Sequence, residues 1–395
     1  MEHHNARIMS QSSLLLTPAP PAPVPTRVGY VVELEGLRGL AALTAVGFHY
    51  LTDPAVRYHS VQRLRSLLEV SPFAVDTFFL ISGFLIGGIL LRYRDSPNYY
   101  RAFYVRRFYR IIPLYYAWIA VYLGFVLVQS GWGITPPAGY GVPVIAGTFL
   151  LMFQNYLPAI LHSSFVVMPT WTLAVEEQFY LICPICVRRL TRRQLAIGLV
   201  GAILTAPILR ALLFWWLNHD GDSLMFARLD VLALGVLVAM LWTDPARRAR
   251  ICRHARCLWP LMVAFTIAGA VLLHLPSTGV PFAAVISAAF GRTMMALTCL
   301  TLFLLVLARP DSWVGAMLRS RIMRHLGRLS YCLYLVHWGV LWMLYRFVLH
   351  AEFGRTGWLG LLMAPIGLLV SIAIAELSWR RLESPLIRRG HQVAY

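Results

Sequence analysis

Apolar runs of about 17 to 25 residues recur along this chain, and each is long enough to cross the hydrocarbon core of a bilayer as a helix. Ten stand out, at roughly 34–52, 72–91, 112–130, 171–187, 195–217, 225–242, 258–274, 282–308, 326–347 and 358–379. A segment in lipid must satisfy its own backbone hydrogen bonds, so runs of this length read as helices rather than strands. With 58% hydrophobic residues, 13% charged and a mean hydropathy of +0.65, the composition excludes an ordinary soluble enzyme or a disordered chain. The expected fold is an all-α integral membrane protein with about ten transmembrane helices. All 35 basic residues are arginines, set against 17 acids. They fall in short clusters between the apolar runs rather than along one stripe, so the charge reads as membrane topology and no nucleic-acid partner is expected.

Arginine clusters at 92–110, 188–193, 247–256, 309–324 and 380–389 all fall on the cytoplasmic side if ten spans are crossed with both termini inside. An eleventh run, 144–161, is interrupted by Gly147, Gln154, Asn155 and Pro158. Were it to cross, every later cluster would turn outward, so it is expected to be a short re-entrant or interfacial helix. Residues 1–33 include TPAPPAPVPT and read as a disordered Pro-rich tail, with no signal peptide. The transmembrane domain is expected over 34–385, followed by a cytoplasmic tail at 386–395. The six cysteines are scattered, and the one CxxC, Cys183 and Cys186, encloses Pro184 inside a span. Neither disulfides nor a metal site is expected.

Function must then reside in polar residues within the spans, where they are costly. The first span, LEGLRGLAALTAVGFHY, carries Glu35, Arg38 and His49. His49 lies eleven residues beyond Arg38, about 20° past three full turns and about 16 Å along the axis, so the two share a face. Gly36, Gly39 and Gly47 allow close approach of a helix or a ligand. A histidine there can take a proton from a hydroxyl; Asp53 is a weak orienting candidate because Pro54 follows it. The second span contributes Asp76, Ser82 and Gly83. In YVRRFYRIIPLYY, Arg107 and Arg110 are spaced i, i+3 and can clamp a phosphorylated ligand. MPTWTLAVEEQFYLICP places Glu176 and Glu177 at the start of a span, where they need arginine, histidine or water. Arg228 and Asp230 occupy the sixth span, and Ser330, Tyr331 and His337 the ninth, His337 being readable as a packed polar residue. Glu376 and Glu383 are expected to balance nearby arginines.

Taken in order, EGLRGLAAL, VDTFFLISGFLI, the RxxR of Arg107 and Arg110 followed by IIPLYY, WTLAVEEQFYLICP, RLDVLALG and LGRLSYCLYLVH resemble the acyltransferase-3 family of integral-membrane O-acyltransferases. The resemblance runs from about Leu34 to Pro385, with Glu35 and Thr172 where Asp and Ser are commoner. It implies ten helices in a bacterial cytoplasmic membrane. It further implies transfer of an acetyl or short acyl group from cytoplasmic acyl-CoA to a hydroxyl, usually of a carbohydrate such as a surface polysaccharide or lipopolysaccharide. On that reading His49 is the base, or briefly carries the acyl group, Arg38 stabilises the oxyanion or the donor's arm, and Glu176 orients His49 or an arginine. Arg107 and Arg110 hold the donor's phosphates, and Ser82 and Gly83 flank its arm. The competing class is a polytopic transporter or flippase, which ten spans with polar midplane residues would also suit.

Overall fold

The computed structural model describes residues 31–51, 71–131, 142–156, 168–218, 221–278, 282–350 and 358–395, and every regular element among them is helical. The Pro-rich tail as far as residue 30, and Asp53, lie outside the described residues. Fifteen α-helical segments follow one another. They are α1 (Val32–Leu51), α2 (Ser71–Arg92), α3 (Tyr99–Gly131), α4 (Val142–Leu150), α5 (Trp171–Arg189), α6 (Arg192–Leu217), α7 (Leu229–Trp242), α8 (Pro245–Arg253), α9 (Leu258–His274), α10 (Ala283–Ile286), α11 (Arg292–Ala308), α12 (Trp313–Leu318), α13 (Arg321–Met343), α14 (Trp358–Ser378) and α15 (Ser384–His391). Single π-turns join α10 to α11 and α14 to α15, and another extends α13 to Val348.

Each of the ten apolar runs coincides with a helix, but six helices among the described residues are both long and apolar enough to cross a membrane: those built on α2, α6, α7, α9, α10–α11 and α14–α15. Of the other four, α1, α5 and α13 are diluted by Glu35, Arg38, Glu176, Glu177, Arg324 and Arg328, and α3 carries Arg107 and Arg110 in its first half. These four carry most of the ionisable residues singled out above. The run at 144–161 forms only the nine residues of α4 and a 3₁₀ turn at Gln154–Tyr156, about 14 Å of helix and too short to span; its end from 157 onward lies outside the described residues.

Two apolar cores hold the helices together. One gathers Phe79, Leu80 and Phe84 of α2 with Tyr115 of α3, Phe179 of α5, Leu232 of α7 and Phe303 of α11. The other gathers Val46 and Tyr50 of α1 with Leu333, Val336 and Leu341 of α13 and Ala375 of α14. Helices α6 and α9 stand outermost, with 17% and 6% of their apolar stretches buried, and present Leu204, Trp216, Ile267 and Val271 outward. That continuous apolar surface suits a lipid solvent.

Buried charges on α2, α6 and α7 are paired across helices. Arg228, just ahead of α7, bonds Asp76 of α2, both almost completely buried. Arg210 of α6, with no exposed surface, donates to Asp230 at 2.9 Å, to Thr293 Oγ1 at 2.6 Å and to the carbonyls of Ala227 and Ala289. Arg228 and Asp230, two apart in RLD, thus serve different partners. Stripping one member from such a pair leaves a buried charge, at a cost of about 3–5 kcal/mol, whereas removing both is often tolerated. Asp76→Leu is expected to lower the thermal unfolding midpoint of the detergent-solubilised protein sharply, and Asp76→Leu with Arg228→Met to recover most of the loss. Equal midpoints for the single variant and the wild type would contradict a structural role for the pair.

Candidate functional site

Helices α1 and α13 meet at glycines. A Cβ on Gly36 would collide with the Leu318 carbonyl at the end of α12; between α1 and α13, one on Gly39 would collide with the Met323 carbonyl and the Gly327 amide, and one on Gly327 with the Glu35 carbonyl. The two backbones are therefore in direct contact, as only glycine permits. His49 lies ten residues beyond Gly39 and His337 ten residues beyond Gly327, so both stand about 15 Å above the crossing on neighbouring helices. His49 Nδ1 is 2.7 Å from His337 Nε2, and the rings stack with centroids 5.0 Å apart. Trp338 meets the His49 ring edge-on at 4.7 Å.

The hydrogen bonds set the tautomers. His337 Nδ1 is 2.7 Å from the Tyr334 carbonyl, which can only accept, so Nδ1 carries a proton and, in the neutral ring, Nε2 holds the lone pair. His49 must then donate from Nδ1, which places its own lone pair on Nε2, the atom a general base needs. Tyr50 fixes the backbone of this level by donating to the His337 carbonyl at 2.9 Å, and it bonds Ser371 of α14 at 2.8 Å.

Towards the crossing of α1 and α13, a narrow cavity of about 70 Å³ lies on the seam between the two cores, lined by Arg38, Phe78, Ser82, Thr172, Glu176 and Tyr334 among others. Tyr334 links it to the histidines, its ring 5.6 Å from that of His337 and its hydroxyl 3.3 Å from Thr172 Oγ1. At the inner end Ser82 donates to Glu176 Oε1 at 2.6 Å. The charges of Arg38 and Arg107 act on Glu176, and Arg110 lies within electrostatic range of Arg38, Arg107 and Glu176. Arg107 also sits over the Tyr180 ring at 5.0 Å. Beside it, Arg107, Glu177 and Tyr180 line an open cleft of about 370 Å³, where Glu177 Oε1 is buried without a hydrogen-bond partner.

Helix α5, which carries both glutamates, is pinned by the polar residues that interrupt the eleventh run. Asn155 and Gln178 exchange hydrogen bonds at 3.3 and 2.9 Å, Asn155 donates to the Ser223 carbonyl at 3.1 Å, and Gln154 to the Thr170 carbonyl at 3.0 Å.

The expected residues are thus partly brought together and partly redistributed. Arg38, Ser82 and Glu176 line one cavity, with Arg107 and Arg110 at its inner end. Glu176 bonds Ser82 and not His49, whose ring is held by His337 instead. Gly83, expected to flank the donor, faces away from the cavity: a Cβ there would strike the Leu232 carbonyl and approach Gly235 of α7. Its absent side chain serves a helix crossing. His337, readable as packing, is the partner that the sequence reading missed; a histidine inside a span is itself the signal. Glu376 does balance an arginine, Arg380, at 2.5 Å. No group of three or more potential metal ligands occurs among the described residues.

Residues 31–380 match the sequence profile of a family described as an acyltransferase domain. Among curated proteins, the O-acetyltransferase OatA of Staphylococcus aureus strain NCTC 8325 is 24% identical over 386 residues, covering 91% of this chain, and OatA of strain COL matches to the same extent. The chain spans 58% of the length of these relatives. No solved structure matches. A profile that takes in both the helix bearing Arg38 and His49 and the helix bearing His337 establishes that the chain belongs to the acyltransferase-3 family of membrane proteins.

Proposed function

We propose that this protein moves an acetyl or other short acyl group from acyl-CoA, taken up at the cytoplasmic face, to a hydroxyl of a carbohydrate acceptor presented from the other side of a bacterial cytoplasmic membrane. Ten spans with both termini cytoplasmic carry this arrangement. The observation that supports it most is the cavity that leads from the arginines and Glu176 to Tyr334, directly beneath the hydrogen-bonded pair His49 and His337.

In this reading Arg107 and Arg110 hold anionic groups of the donor at the inner end. Arg38, about 16 Å below His49 along α1, guides the donor's arm rather than touching the reacting carbonyl. Ser82 keeps the Glu176 carboxylate turned towards those arginines. His49 Nε2 accepts the proton of the acceptor hydroxyl as its oxygen attacks the thioester carbonyl; the tetrahedral adduct then collapses, breaking the carbon–sulfur bond, and the imidazolium returns the proton to the departing thiolate. Throughout, His49 Nδ1 donates to His337 Nε2, which holds the ring in position and spreads the transient positive charge.

With protein amounts matched, His49→Ala is expected to lower the turnover of acceptor-stimulated thiol release from acetyl-CoA by about 10²–10⁴-fold, the usual worth of a positioned base. His337→Phe should lower turnover with little change in KM, and His337→Gln, which retains an acceptor for His49 Nδ1–H, should recover part of it. Full turnover by His49→Ala would remove the proposed base. Absence of release by well-folded wild type with any acyl-CoA would favour a transporter.

The topology makes a separate prediction. Cys257 is exposed and Cys252 partly so, both beside the arginines of α8. A membrane-impermeant maleimide should label them only in inverted or permeabilised membranes. Labelling from outside intact cells would reverse the proposed orientation.

A further inference from the structure

Beneath the crossing of α1 and α13, an open bowl of about 470 Å³ is lined by Glu35, Arg321, Arg324, His325 and Arg328. Positions 321, 324 and 328 repeat at i, i+3 and i+7, so three guanidiniums stand on one face of α13. Arg324 Nε is buried without a hydrogen-bond partner. The nearby acid Glu376 is already engaged, by Arg380 at 2.5 Å and His325 at 3.2 Å, which leaves three guanidiniums in the bowl against the single carboxylate of Glu35. The first turns of a helix favour acids, so this arrangement repels itself until an anion enters.

Arginines that only mark the cytoplasmic side look different. Helix α8 carries Arg247, Arg248, Arg250 and Arg253 with no buried residue, and Arg247 pairs locally with Asp244 at 3.2 Å. The bowl's arginines instead converge on a shared space.

We propose that this bowl is a phosphate-binding site, distinct from Arg107 and Arg110, which takes the phosphorylated nucleoside end of the acyl donor. The identification of the ligand rests on the acyl-CoA reading above. Guanidiniums suit phosphate oxygens because their forked N–H groups bind two at once. The position fits as well: Glu35 is one turn below Arg38 on α1, so a phosphorylated head in the bowl places the start of its arm at the inner end of the cavity. From Glu35 to His49 that arm would rise about 21 Å. The same phosphate chemistry could be met by an anionic lipid headgroup, since Ile322 beside the bowl is 68% exposed.

The test uses the full chain in phosphatidylcholine nanodiscs and adenosine 3′,5′-bisphosphate, which has the phosphates but no acyl arm, as the probe. Calorimetry should show saturable binding that weakens roughly tenfold or more in Arg321→Gln/Arg324→Gln, the worth of a charge-assisted bond. A second variant, Arg328→Gln at an exposed position, should weaken it in the same direction, with KM for acetyl-CoA raised in parallel and kcat nearly kept. Unchanged binding and KM in both variants, in a preparation that turns over acetyl-CoA, would overturn the bowl while leaving the donor reading intact. If the wild type binds the probe yet transfers no acyl group from any acyl-CoA, the donor reading falls and so does the assignment of the nucleotide. In nanodiscs containing phosphatidylglycerol the probe should bind almost as well. Loss of nucleotide binding there, with the lipid co-purifying with wild type but not with the double variant, would overturn the nucleotide and give the bowl to lipid.

Discussion

The backbone contact between α1 and α13 sets the geometry on which the site depends. Gly39 and Gly327 let the two helices touch without side chains between them. Because the histidines are equally far from that contact, they arrive at the same height, close enough for a 2.7 Å hydrogen bond. A side chain at the crossing would wedge the helices apart, and the displacement would be felt ten residues away at the imidazoles. The same contact places Arg38 at the inner end of the cavity and Glu35 in the wall of the bowl, so one packing event aligns three levels along a single helix.

Polar groups inside a membrane protein must be paired or must face a cavity, and this chain separates the two cases by helix face. On α2, Asp76 and Gly83 turn towards α7, where Asp76 meets Arg228 and Gly83 meets Gly235. One residue away from each, Val75 and Ser82 line the cavity, together with Phe78. The buried ion pairs can then hold α2, α6, α7 and α11 together while the other face of α2 lines the cavity. Helices α1, α3, α5 and α13 provide His49, His337, the glutamates and the arginines, whereas the plainly apolar α6 and α9 form the periphery.

Much of this is legible in the sequence, with failures that have a common physical cause. Apolar length reports the helices well because each run is a local property, and the polar break at 154–158 marks a segment that does not continue as a span-length helix. The 3.6-residue period places Arg38 and His49 on one face for the same reason. What periodicity does not report is which helices meet. His337 is 288 residues from His49, and nothing local joins them; the matching ten-residue intervals after Gly39 and Gly327 become meaningful only once those glycines are known to touch. Gly83 illustrates the converse. A glycine announces a close approach without saying what approaches, and here it is α7. Arg228 and Asp230, two apart in RLD, meet different partners, Asp76 and Arg210, which nothing local joins to them.

The account rests on one claim, that a single cavity lets an acyl group loaded from the arginine side react at the histidine side. Its most direct test is transfer across a sealed membrane. Proteoliposomes would be sorted by orientation, with acetyl-labelled acyl-CoA trapped on the side of the arginine clusters and a glycan extract of the host supplied on the other. The account predicts labelled glycan outside a vesicle that retains its CoA, with no label transferred when donor and acceptor are both confined to the histidine side. Transfer only when donor and acceptor share one side would contradict it.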